Sequence, residues 1–81
     1  MTVRIEGYNT ITGSPVVILS LMQKARFFDS PEGDEYIKTV VSDVKRGYDI
    51  DLNVVGDTYE ERAESLLREL HNHKIIVIEE E

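Results

Sequence analysis

The sequence predicts an α+β fold: a two-layer sandwich whose three- or four-stranded mixed sheet packs against three helices, in the order β-β-α-α-β-α-β. Three observations predict it. Apolar residues at Tyr59, Ala63, Leu66, Leu67 and Leu70 recur at helical period behind a strong cap signal. The run Ile75-Ile76-Val77-Ile78 follows, β-branched throughout, and reads as a strand buried on both faces. Two earlier stretches repeat the helical period, while residues 2–6 and 50–54 alternate as strands do.

In chain order, Val3 and Ile5 alternate with Thr2, Arg4 and Glu6, the pattern of a strand with one wet face. Gly7-Tyr8-Asn9 supplies turn residues, and Thr10-Ile11-Thr12 returns as the second arm of a hairpin. Gly13-Ser14-Pro15 opens a helix, with Ser14 as cap and Pro15 in the first turn. Its stripe is Ile18, Leu21, Met22, Ala25 and Phe28, widened by Val17 and Leu19, with Ser20, Gln23 and Lys24 opposite. Branching at Val16-Val17-Ile18 makes a strand the competing reading for the first turn.

Asp29 to Asp34 is a loop by composition. A second helix from about Asp34 to Arg46 carries the stripe Ile37, Val40, Val41, Val44 and then Tyr48, with Gly47 placed to close it. Ile50, Leu52 and Val54 alternate with Asp49, Asp51 and Asn53, predicting a strand over 50–55. Gly56-Asp57 turns into the last helix. Asp57 and Thr58 can each cap it, with Glu60 and Glu61 at the capping-box spacing. Glu64 and Arg68 suit an ion pair, and Asn72 suits the left-handed closing conformation. Strand 50–55, helix 58–72 and strand 75–79 have the length of a right-handed crossover unit, should the two strands be parallel.

The 81 residues make one expected domain, 1–81, and 41% hydrophobic with 31% charged residues places it among ordinary globular chains. Cysteine is absent, which removes disulfide and thiolate chemistry. The formal net charge is -7, with acids concentrated at 57–64 and in Glu79-Glu80-Glu81; this disfavours a nucleic-acid partner. The run from Val16 to Met22 is interrupted by Ser20 and falls short of the roughly 20 residues a membrane helix needs. Arg4 is offset by Glu6, so no positive leader stands at the start, and no membrane partner and a cytoplasmic location are expected.

The sharpest chemical constellation lies in residues 49–60. Asp49, Asp51, Asn53, Asp57 and Glu60 occupy the first, third, fifth, ninth and twelfth places of an EF-hand calcium loop. The sixth place, which that loop needs as glycine, is Val54. The apolar alternation also suits a strand and not a wrapped loop, so sensor-like calcium affinity is not expected. His71 and His73 could chelate zinc or nickel on an extended chain, but at a helix end they diverge as surface positions. Serines 14, 20, 30, 42 and 65 fall in caps, loop or helix surface, none in a nucleophile elbow. Gly13-Ser14-Pro15 could hold an anion on its free amides, though a cap explains the same residues. No phosphate loop or dinucleotide fingerprint is present, and no cofactor is expected. A winged-helix reading fails on the acidic face Glu60, Glu61, Glu64 and Glu69, where a recognition helix carries Arg, Lys, Asn or Gln.

With Gly13-Ser14-Pro15 entering an apolar helix and a capped helix with an apolar tail from Asp57 to Ile78, the chain resembles small bacterial and phage-associated α+β domains. That resemblance implies an accessory protein of phage or mobile elements, and no mechanism. The function expected is a non-enzymatic interaction module that meets another protein or a second copy through a sheet edge or an acidic face. The alternative is divalent-cation binding through 49–60, and third comes a small hydrolase.

Overall fold

The computed structural model describes every residue except Glu6, Tyr8 and Asp29. Its elements are β1 (Thr2–Arg4), β2 (Thr10–Thr12), α1 (Pro15–Lys24), α2 (Asp34–Tyr48), α3 (Tyr59–Asn72) and β3 (Val77–Glu80). The α+β class is as expected, with three helices over a three-stranded sheet of order β2-β1-β3. The hairpin forms with Val3 opposite Ile11, although Glu6 and Tyr8 of its connection lie outside the described residues. The loop expected from Asp29 likewise begins on an undescribed residue. Among the described residues no helix is long and apolar enough to cross a membrane.

Both strand pairings are antiparallel, so the parallel pair that a crossover over 50–79 requires does not form. Residues 50–55 keep the expected alternation, with Leu52 buried, Ile50 and Val54 half-buried, and Asp51 and Asn53 exposed, but they join no sheet. Their N–H groups go to side chains of α3 instead. Asn53 N–H donates to Glu69 Oε1 (2.7 Å), Val55 N–H to Ser65 Oγ (2.9 Å) and Asp57 N–H to Glu61 Oε1 (3.0 Å). Four helical residues advance about 6 Å, and two extended residues about 6.7 Å. The periods nearly match, so this strap runs antiparallel to α3 and uses it as a surrogate strand. Gly56 makes the turn possible. At φ +146° a Cβ would stand 2.7 Å from Glu61 Cβ and 2.8 Å from the Arg62 nitrogen, so any larger residue clashes.

The core gathers one face of each element. Val3, Ile5 and Ile11 come from the hairpin, Ile18, Leu19 and Met22 from α1, and Tyr36, Ile37, Val40 and Val44 from α2. Leu52 comes from the strap, and α3 contributes Ala63, Leu66, Leu67 and Leu70, all four fully enclosed. The other face of the sheet is wet. Thr2 and Thr12 hydroxyls meet at 3.0 Å there, Arg4 reaches Glu79, and Val77 is 36% exposed. The expectation of a last strand buried on both faces is therefore corrected: helices cover one side only.

Helix ends also depart from expectation. α1 stops at Lys24 and not Phe28, because Arg26 turns left-handed (φ 62°) and Phe27 N–H bonds back to Met22 C=O. Leu19 faces inward, whereas Val17 and Leu21 turn to solvent. α2 runs through Gly47 and closes at left-handed Asp49. In α3 the left-handed residue is Lys74 and not Asn72, with Ile75 N–H bonded to Leu70 C=O in a Schellman close. The starts agree: Ser14 caps α1 on Val17 N–H, and Thr58 with Glu61 forms the capping box of α3.

Leu67 lies fully buried at the centre of the α3 stripe. Leu67→Ala should lower unfolding free energy in urea by about 2–5 kcal/mol. An unchanged midpoint would mean that this stripe does not face the core.

Candidate functional site

Order β2-β1-β3 leaves two sheet edges, and the structure treats them differently. Gly13 N–H donates to Met1 C=O at 3.0 Å, which fixes the phase of the hairpin ladder. Hydrogen-bonded pairs alternate along an antiparallel pair, so Ile11 bonds inward to Val3 while Thr10 and Thr12 turn their N–H and C=O groups outward. Among the described residues these outward groups meet no backbone or side-chain partner.

The opposite edge lies against α3. By the same alternation Ile78 points away from β1, and its N–H donates to His71 Nδ1 at 3.1 Å. One turn earlier Arg68 holds Glu64 (3.0 Å) and also Glu81 beyond the strand. The Glu81 carboxyl is held below its ordinary value by the Arg68 hydrogen bond. His71 thus does for β3 what Glu61, Ser65 and Glu69 do for the strap.

Beside the open edge lies the outward row of α1. Val17 is 46% exposed and Leu21 41%, four residues apart on one face. Leu21, Lys24 and Ala25 form one wall of a groove of about 420 Å³, with Asn9, Thr10, Ile11 and Thr12 as the other. Lys24 is the single charged residue in that lining. Gly13 sets the spacing, since a Cβ there would lie 2.8 Å from Val17 Cγ1. Unpaired backbone groups next to apolar side chains are the requirements for adding a strand, where main-chain bonds give affinity and the groove accepts side chains.

The residues singled out for calcium are spread along the chain. Asp49 and Asp51 both bind the Lys45 ammonium, at 3.2 and 3.3 Å, and keep the lysine protonated to higher pH. Asn53 and Asp57 give backbone N–H groups to α3, and Glu60 sits exposed in that helix's first turn. Val54 turns toward the core, as a strand residue would. Among the described residues no three His, Asp or Glu side chains converge as metal ligands do.

His71 and His73 both lie at the surface, as expected; His71 also accepts from Ile78 N–H, and His73 forms the C-cap of α3. The serines serve the scaffold. Ser14 caps α1, Ser65 holds the strap, Ser20 donates to Glu32 (3.5 Å), and Ser30 accepts from Thr39 (2.9 Å). Ser42 lines a cleft of about 610 Å³ floored by Ile37, Val41, Leu52 and Val54. At its rim Arg62 makes a two-point bond to Asp34 (2.9 and 3.1 Å) and a third to Gly56 C=O (3.3 Å). Arg62 holds the Asp34 carboxyl below its ordinary value and ties α2, the strap and α3 together.

Sequence reasoning missed Tyr36, whose ring is 1% exposed and whose hydroxyl donates to Phe27 C=O; burial pushes that phenol well up. Its spacing with Val40 and Val44 was the available signal. Val17 and Leu21, expected in the core, face outward because α1 packs on its Ile18, Leu19 and Met22 side.

No protein-family model, curated protein or solved structure matches this chain.

Replacing His71 by alanine should free the Ile78 amide. Its hydrogen exchange should rise about tenfold or more, with a global stability loss of about 0.5–1.5 kcal/mol. Unchanged protection at Ile78 would show that its amide is held by something other than this imidazole.

Proposed function

We propose that this protein is a non-enzymatic interaction module that takes up an extended segment of chain along the outer edge of β2. The observation that carries this is the asymmetry of the two edges. On β3 the outward Ile78 amide is taken by His71, whereas Thr10 and Thr12 of β2 keep outward backbone groups beside exposed Val17 and Leu21. Sheet proteins usually blunt an open edge with lysine, proline, a bulge or a covering element. The described part of this edge carries threonine and isoleucine, flanked on α1 by Lys24.

An added strand would lie antiparallel or parallel to β2 about 4.8 Å away. Its N–H and C=O groups would pair with Thr10 and Thr12, and every second side chain would enter the groove against Leu21 and Ala25. Recognition of this kind reads shape and apolar character more than charge, which suits a groove with one cation in an acidic protein.

The test is an amide-resolved titration of dilute protein with a neutral synthetic heptapeptide of alternating threonine and valine. Saturable shifts should appear at Thr10, Thr12, Val17 and Leu21 and leave Ile78 in place. Thr10→Pro removes only an outward donor at the first residue of an edge strand, a position where proline is tolerated. It should weaken the peptide about tenfold, the equivalent of roughly 1.4 kcal/mol. Shifts scattered over the acidic surface, or equal binding to Thr10→Pro, would rule the β2 edge out.

A further inference from the structure

We infer that the occupant of the β2 edge is a second copy of this chain, paired antiparallel through Thr10-Ile11-Thr12 about a two-fold axis at Ile11. This rests on the edge-docking function proposed above and names its partner. The edge is its own complement. Its outward groups belong to Thr10 and Thr12, placed symmetrically about Ile11. In an antiparallel copy Thr10 faces the twin's Thr12 and the reverse, and each pair exchanges two N–H to C=O bonds. A slip of one residue would set these groups against ones already turned inward to β1, and a slip of two would keep a single pair. Register is therefore fixed by the backbone alone.

The same axis covers the exposed apolar row. Standing perpendicular to the sheet, it keeps both helical layers on one face and brings the two α1 helices side by side. Val17 and Leu21 of one copy then meet those of the other. A lone partner strand would leave that row in water. The product is a six-stranded antiparallel sheet whose outer edges are both β3, the edge whose Ile78 amide His71 already holds.

Charge selects the same place. Each copy carries -7, so two copies repel over most of their surfaces. Among the described residues the groove beside β2 is lined by no acid, its one charge being Lys24. This is where like copies can approach with least opposition. Salt should then strengthen the dimer by screening the remaining repulsion, whereas a basic partner drawn to the acids would be weakened by salt. The contact is small. A helix of about 15 Å beside a strand of about 10 Å falls well below the roughly 800 Å² per partner of a standard stable interface. A reversible dimer, of micromolar affinity or weaker, is the expected form.

Sedimentation equilibrium on the full chain across protein concentration and salt tests this, alongside amide hydrogen exchange. The mass should rise from 9.3 kDa toward twice that value with concentration, more steeply at high salt, as Thr10 and Thr12 amides become protected in step. Leu21→Glu, at an already exposed position, and Thr10→Pro should both stay folded and monomeric. A monomer at every concentration that still binds the threonine–valine peptide at β2 would overturn the second copy and leave edge docking standing. A dimer that survives in both variants, with the Thr10 and Thr12 amides of the parent protein unprotected, would overturn the second copy at β2. Failure of the threonine–valine peptide to bind there would overturn edge docking itself.

Discussion

α3 carries two rows of side chains that serve different neighbours, and the rest of the fold is arranged around that double duty. One row, Ala63, Leu66, Leu67 and Leu70, is sealed in the core. The other, Glu61, Ser65 and Glu69, offers an oxygen every four residues to the N–H groups of Asp57, Val55 and Asn53. A strap that joins no sheet leaves its N–H groups to water or to side chains, and at exposed positions such as Asn53 and Val55 each bond made to a side chain contributes about 0.5–1.5 kcal/mol. Here a helix face supplies them.

That arrangement decides the sheet. The strap is spent on α3, so three strands remain, and β3 returns to pair with β1 rather than with residues 50–55. From the same helix, His71 reaches the outward amide of Ile78 and Arg68 reaches Glu81. Asn53, Val55 and Asp57 of the strap and Ile78 of β3 thus all have their N–H groups met by α3 side chains. β2 lies on the far side of β1, beyond the reach of that helix, and α1 turns Val17 and Leu21 toward it. The open edge is thus a consequence of where α3 lies.

Much of this was legible locally. Ser14, and Thr58 with Glu61, announced their caps because a cap needs only residues three apart. The α3 stripe and the β1–β2 hairpin followed from period and turn chemistry. What stayed hidden depends on distant partners. Alternation at Ile50, Leu52 and Val54 says that one face is buried, and it is; it cannot say whether a strand or a helix takes up the N–H groups. Glu69 read as part of an acidic solvent face, yet it holds Asn53. Arg26, Asp49 and Lys74 take left-handed conformations without glycine or asparagine to mark them, so α1 and α2 end where no local signal stands. His71 gave no hint of Ile78, seven residues on. For the open edge, the sequence offered Thr10-Ile11-Thr12 as a strand but not which of its neighbours would be missing.

The surrogate-strand role of α3 is tested most directly by native-state amide exchange in the protein and in Ser65→Ala. Asn53, Val55 and Asp57 should be protected in the parent protein. The substitution should speed exchange about tenfold or more at Val55 and leave Val3 and Ile11 in the sheet unchanged. Exchange at Val55 that is indifferent to Ser65, or protection of 50–55 that rises and falls with the sheet amides, would contradict it.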